Sequence, residues 1–212
     1  MTKNHFNKSI TEHLKALDSL SDQYNEIQNI GNLIVKSIKL GGKILFCGNG
    51  GSAADAQHWA AELLVRLRPH VNRKPIAALS LGTDTSTITA CGNDYSFDDI
   101  FCRPFEALSK KNDILFVIST SGNSKNILKV LQSAKKKKIK TVGLLGKSGG
   151  KAKKNCDFKI LVGSSNVARI QEIQIFLGHI ILENVENKLL GREKFSKSKK
   201  EMDLLKKFKY WS

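Results

Sequence analysis

The stretch Lys43-Ile44-Leu45-Phe46-Cys47-Gly48-Asn49-Gly50-Gly51-Ser52 decides the fold. The apolar run Lys43–Cys47 is short and ends in glycines, and the residues that follow, Ala53–Leu67, read as helix. A short apolar run bounded by turn residues marks a strand buried on both faces. The same order recurs downstream. Ile76–Leu79 is a second apolar run. Ile114–Ser119 is a third, followed by Thr120-Ser121-Gly122 and a helical stretch over Lys125–Ala134. Thr141–Leu145, closed by Gly146, is a fourth, and Phe158–Val162 a fifth. Strands alternating with helices, joined by short turns, predict an α/β fold in which a doubly wound, five-stranded parallel sheet is flanked by helices on both faces.

Upstream of this core the first forty residues read as helix. Leu14, Leu17, Leu20 and Tyr24 recur at helical spacing, then Ile27, Ile30, Ile34, Ile38 and Leu40, and Gly41-Gly42 ends the run. This segment holds no catalytic pattern, and we expect these N-terminal helices to pack on a partner subunit. Downstream, a long helix is predicted over about Asn166–Leu190, ended by Gly191. The tail from Arg192 to Ser212 is basic, with a short amphipathic pattern at Met202, Leu205 and Phe208. No linker or repeat interrupts the chain. We therefore expect one unit over 1–212: N-terminal helices 1–40, an α/β core 41–190 and a basic C-terminal extension 191–212.

The 212 residues suffice for one α/β core without covalent staples. Hydrophobic residues make up 41% and charged residues 25%, the balance of a soluble globular protein. No apolar run reaches the roughly 20 residues that span a bilayer. Met1–Ser9 lacks the apolar stretch of a signal peptide, so a cytoplasmic location is expected. The four cysteines, Cys47, Cys91, Cys102 and Cys156, are scattered and form neither a disulfide framework nor a cysteine metal site. The net charge of +16 raises the question of nucleic acid. The lysines cluster in Lys135–Lys138, Lys151–Lys154 and Lys194–Lys209 without the interleaved aromatics of a base-stacking surface. Solvated faces, with some steering of anionic substrates, account for the charge better than a nucleic-acid partner.

In a parallel sheet, ligands bind outside the carboxyl ends of the strands. The turn Gly48-Asn49-Gly50-Gly51-Ser52 suits an anion there. Glycines admit positive φ and close approach, Ser52 is read as the helix N-cap, and a helix N-terminus favours negative charge. The loose dinucleotide fingerprint Gly48-x-Gly50-x-x-Ala53 lacks its acid about 20 residues on, since Asp84 comes late, which argues against a nicotinamide cofactor. Ser119-Thr120-Ser121-Gly122-Asn123-Ser124 is the sharper cradle. Its four hydroxyls in six residues exceed what capping needs and match a phosphate.

Two helical pairs suggest a metal. His58 and Glu62 stand four apart and share a helix face, and imidazole and carboxylate are ordinary zinc ligands. Gln171 and His179, eight apart, share a face of the late helix, with Gln174 a rival for Gln171. Spacing alone shows no convergence of the two pairs.

Together these motifs resemble the phosphoheptose isomerases of the sugar isomerase (SIS) fold. The likeness runs through Gly48–Ser52, Asp55-Ala56-Gln57-His58 with Glu62, Cys91-Gly92-Asn93-Asp94-Tyr95-Ser96-Phe97, Ser119–Ser124, Gly146-Lys147-x-Gly149-Gly150 and Arg169-Ile170-Gln171-Glu172 with His179. It covers about residues 10 to 190. The resemblance implies a flavodoxin-like sheet, a homotetramer and one zinc ion per subunit on His58, Glu62, Gln171 and His179. It implies substrate contacts at Asn49, Gly50, Gly51, Ser52, Glu62, Asn93, Asp94, Ser119, Thr120, Ser121, Ser124 and Gln171. The implied reaction converts D-sedoheptulose 7-phosphate to D-glycero-D-manno-heptose 7-phosphate, the first step toward nucleotide-activated heptose for surface polysaccharide. Ala168 departs from the pattern where some members carry Asp.

Moving a carbonyl from C2 to C1 needs a base, an acid and a group that holds an enediolate. Glu62 and His179 are the expected catalytic pair, and Asp94 is the second candidate. The alternative is a non-catalytic SIS-fold tetramer that binds a replication initiator or another protein partner.

Overall fold

The computed structural model describes residues 1–192. The basic tail beyond, with its pattern at Met202, Leu205 and Phe208, lies outside the described residues. Helix α1 (Lys3–Asp18) and helix α2 (Tyr24–Lys39) open the chain. The expected N-terminal helices divide at residues 19–23. Ser19 turns its hydroxyl back to the Ala16 carbonyl, and Gln23 gives its amide to the Leu161 carbonyl while accepting from the Leu161 N–H. A short 3-10 turn, Ser21–Gln23, lets the two helices take different directions.

The core follows as β1 (Ile44–Gly48), α3 (Gly51–Leu64), β2 (Ala78–Ser80), α4 (Thr85–Asp94), α5 (Cys102–Leu108), β3 (Ile114–Ser119), α6 (Lys125–Lys136), β4 (Lys140–Gly146), β5 (Phe158–Val162) and α7 (Val167–Leu189). All five strands are parallel, in the order β2-β1-β3-β4-β5. This is the expected doubly wound sheet. The two short helices between β2 and β3 carry no strong apolar period and escape a pattern search.

Side chains alternate across a strand, so each strand feeds two cores. Ile44 and Phe46 of β1, Phe116 of β3 and Leu144 of β4 face one side, where α1, α2, α3 and α7 pack. Leu45 and Cys47, Val117 and Leu145 face the other, where α4, α5 and α6 pack with Phe101, Phe105 and Leu131. Cys47 is fully buried as a small apolar residue, and burial holds its thiol far above the usual range. The β1–β2 crossover helix and the C-terminal helix therefore share the first face. Helix α3 leaves β1 and α7 returns from β5, and the two lie against each other over the same sheet.

Candidate active site

With the order β2-β1-β3-β4-β5 the chain leaves β1 on one side to reach β2 and later crosses to β3 on the other. The carboxyl ends of β1 and β3 thus flank the crevice where such sheets bind ligands. Both predicted cradles sit at this crevice, and the reciprocal amide pair Asn49–Asn126 (3.0 and 2.9 Å) joins the turn after β1 to the first turn of α6.

The turn after β1 differs from expectation in its cap. Gly50, at φ 57°, occupies the N-cap position of α3, a conformation that strains any residue with a Cβ. Ser52 is not the cap. It is the second helical residue, 3% exposed and packed against Gly48. The side-chain amide of Gln171 lies on the same turn, so close that a Cβ at Gly51 would stand 2.5 Å from its Nε2. Gln174, the rival, is fully buried and donates its amide to the Leu144 carbonyl.

In the hydroxyl loop, two of the four hydroxyls already hold the turn. Ser119 accepts from the Gly122 N–H and Ser121 from the Asn123 N–H. Ser124 is the N-cap of α6 but makes no capping bond with its side chain. The glycines of Gly146–Gly150 explain their own presence. A Cβ at Gly146 would meet the Thr120 carbonyl at 2.4 Å, and one at Gly150 the Ser121 carbonyl at 2.5 Å. This second loop buttresses the first, with the Ala152 N–H bonded to the Gly122 carbonyl and the Lys151 N–H to Asn123 Oδ1.

The two helical pairs meet. His58 Nε2 is 2.9 Å and His179 Nε2 3.3 Å from the same oxygen, Glu62 Oε1. The imidazoles lie edge to face, with ring centroids 5.2 Å apart. Just below, the Trp59 indole packs on Gly178, where a Cβ would come within 2.0 Å of its ring. This close approach lets residues 58 and 179, each next to a packing partner, reach across the seam. Asp55, one turn before His58, borders the group. Burial pushes its carboxyl above the usual range, against the opposing pull of His58 and His179.

The donor set suits a divalent cation. Two imidazole nitrogens and a carboxylate oxygen lie within 4.8 Å of one another. Glu62 Oε2 is buried with no hydrogen-bond partner, an unmet acceptor that a cation would satisfy. His58 is half-exposed, so a further ligand from solvent or substrate has access.

A family model described as the SIS domain matches residues 5–146. The phosphoheptose isomerase of Campylobacter concisus is 47% identical over 184 residues, which cover 87% of this chain and 93% of that one. The chain belongs to the phosphoheptose isomerase family. The Clostridium acetobutylicum phosphoheptose isomerase is 44% identical over 90% of this chain and 98% of its own. Among solved structures, the Francisella tularensis phosphoheptose isomerase superposes with a TM-score of 0.83 at 34% identity, covering 88% of this chain and all of that one.

Within this phosphoheptose isomerase framework, other residues take different places. Asn93 and Asp94 end α4, both exposed, and the Asn93 amide donates to Asp94 at 2.8 Å. Neither forms a hydrogen bond or ion pair with another described side chain. Of the motif Arg169–Glu172, only Gln171 reaches the turn after β1. Arg169 and Glu172 pair with each other and tie α7 to α1 through the Ser9 carbonyl and His13. Asn126 had no signal in spacing. Asp55 did, since Asp55, His58 and Glu62 stand three and four apart on one face. Among the described residues no helix is long and apolar enough to cross a membrane.

Proposed function

We propose that this protein is an aldose–ketose isomerase that converts D-sedoheptulose 7-phosphate to D-glycero-D-manno-heptose 7-phosphate, supplying activated heptose for surface polysaccharide. The observation that carries the reading is the Glu62 carboxylate held between His58 and His179, with one oxygen shared and the other buried without a partner. A non-catalytic scaffold has no use for such a group.

The phosphate is assigned to Ser119, Thr120, Ser121 and Ser124 with the N-terminus of α6, where the hydroxyl of Ser124 is free of capping duty. The opposite wall is assigned to Asn49, Gly50 and Gly51, with the Gln171 amide against Gly51; Ser52, expected to join them, is buried with its N–H bonded to the Asn49 carbonyl and is not assigned to substrate. Asn93 and Asp94 are assigned to the sugar chain. Remote binding of the phosphate then orients the reacting carbons. Glu62 takes the proton from C1, and His179 delivers one to C2 of the enediolate. His58, Glu62, His179 and Gln171 would hold one zinc ion per subunit. When bound, the metal supplies Lewis-acid polarisation of the carbonyl and hydroxyl oxygens. A carboxylate and an imidazole that serve both as ligands and in proton transfer must alternate between the roles.

We further propose a cytoplasmic homotetramer. Phe6, Ile10 and Leu14 form an exposed stripe at helical spacing on α1. Burying that stripe against a second subunit would help shut water from a site open in one chain.

The test is turnover of sedoheptulose 7-phosphate by the purified protein before chelation, after it and after zinc add-back. The expected result is an aldoheptose 7-phosphate whose formation falls with chelator and returns with zinc. Turnover indifferent to chelator would overturn the metal and keep the isomerase. Absence of turnover with any divalent metal would overturn the isomerase and favour the scaffold.

A further inference from the structure

Arg73 lies outside the cradles and the His–Glu–His group, in the segment between α3 and β2. Its side chain is nonetheless only 4% exposed. Each of its nitrogens is committed. Nη2 donates to the backbone carbonyl of Glu62 at 2.6 Å, Nη1 to that of Leu63 at 2.9 Å, and Nε to Glu186 Oε1 at 2.7 Å. Nη1 also reaches the Lys74 carbonyl at 3.1 Å. The other oxygen of Glu186 takes Arg68 Nε at 2.7 Å, and Arg68 Nη2 bonds Asn187 Oδ1 at 2.7 Å.

The two helical carbonyls belong to the last turn of α3, where a helix leaves its carbonyls without intrahelical partners. Water or any donor could satisfy them. Here one guanidinium takes both, the Leu63 carbonyl also accepting from the Ile76 N–H at 3.0 Å, and extends its third nitrogen to α7. On α7, Glu186 follows His179 by seven residues, about two turns, so both face α3. Helix α3 thus presents the Glu62 carboxylate to His179 and the Glu62 carbonyl to Arg73. The Trp59–Gly178 contact limits how near the helices come. It is apolar and leaves sliding and rotation open. The planar guanidinium, with fixed donor directions, closes them.

Stability alone is a poor reason for this arrangement. A buried Arg–Glu–Arg triad loses in desolvation much of what it gains in attraction, and apolar packing often serves as well. What apolar packing cannot supply is direction.

We propose that Arg73, backed by Glu186, is a positioning residue that sets the register of Glu62 against His179, and so both the metal affinity of the group and its proton-transfer geometry. The inference rests on the isomerase and metal reading of that group.

The test uses full-length Arg73→Lys, Arg73→Gln and Arg68→Gln beside the wild type. Fold is followed by circular dichroism and melting, zinc affinity by competition with a chromophoric chelator, and turnover as separate kcat and KM. Lysine keeps the charge but cannot bond two carbonyls and Glu186 together. Arg73→Lys is expected to stay folded, to lose about 10- to 100-fold in kcat with KM within about threefold, and to bind zinc about tenfold more weakly. Arg68→Gln leaves the bonds of Arg73 in place and is expected to change kcat and zinc affinity less than Arg73→Lys does. Should Arg73→Gln fail to fold, the lysine variant decides. A folded Arg73→Lys with kcat and zinc affinity both within twofold of wild type overturns the proposal, even if its melting point drops. A wild type that binds zinc without turnover overturns the isomerase reading alone, and the zinc affinities of the variants then judge the positioning role. A wild type with neither zinc binding nor turnover overturns both.

Discussion

The crevice at β1 and β3 and the seam between α3 and α7 meet at one site but are built in opposite ways. The crevice is made of two contiguous turns, Gly48–Ser52 and Ser119–Ser124, each leading into a helix N-terminus that suits an anion. The seam is made of His58 and Glu62 on one helix and His179 on another, more than a hundred residues apart. The crevice handles charge with fixed dipoles and neutral hydroxyls, which suit binding. The seam holds groups that can give and take protons, which suits chemistry. Damage to the two should therefore differ in kind: the seam should govern kcat and the crevice KM.

The largest effect is expected at the seam. Glu62→Gln and His179→Gln should each lower kcat by about 10²- to 10⁴-fold, the range of a lost acid–base group, with helical content and assembly unchanged. Steady-state kinetics beside circular dichroism and size-exclusion checks this. Rates near wild type in either variant would remove that residue from the chemistry and break the division of labour.

Next comes the packing that makes the seam possible. A methyl group at residue 178 must displace the fully buried Trp59 ring, which also packs edge-on against Phe46 and Phe116. Gly178→Ala should destabilise by about 1–3 kcal/mol through overpacking and cut kcat more than KM by spreading the helices. Denaturant unfolding and kinetics on one preparation check both. Lost stability with unchanged kcat would mean that the seam tolerates a wider gap.

A smaller effect is expected in the crevice. Thr120→Ala and Ser124→Ala should each raise KM by about 5- to 10-fold, the worth of roughly one hydrogen bond, with kcat within about threefold. A drop confined to kcat would move these hydroxyls from binding to chemistry and blur the comparison.

The smallest effect is expected on the far face of the sheet. Burial holds the Cys47 thiol well above its ordinary range and pushes Cys156 up to about 12. Thiolate is the reactive form, so at pH 8 both should resist a thiol reagent in the native protein and react only after unfolding. Rapid native labelling at either, read by peptide mass, would show that this face opens.

Much of the crevice was legible in the chain. A short apolar run, a glycine turn and a helix are neighbours in sequence, and the period of each reports its own structure. The five strands and the helices α3, α6 and α7 were read within a few residues of their observed ends. Local reading still misassigned Ser52, because only the backbone shows that Gly50 takes the cap at positive φ. It also could not separate Gln171 from Gln174. The two share nearly one face, and the choice depends on which amide meets the turn after β1 and which meets the Leu144 carbonyl.

The chain alone determined the strand-and-helix alternation, the parallel sheet with its crevice and the residue types able to bind an anion and a cation. These follow from burial period, turn conformation and donor chemistry, all local properties. Only the tertiary structure decided that His179 comes back to Glu62, that Gly178 admits Trp59 and that Arg73 caps α3 while holding α7. Those contacts join residues far apart in sequence. No periodicity carries them, because they exist only once α3 and α7 have packed on the same face of the sheet.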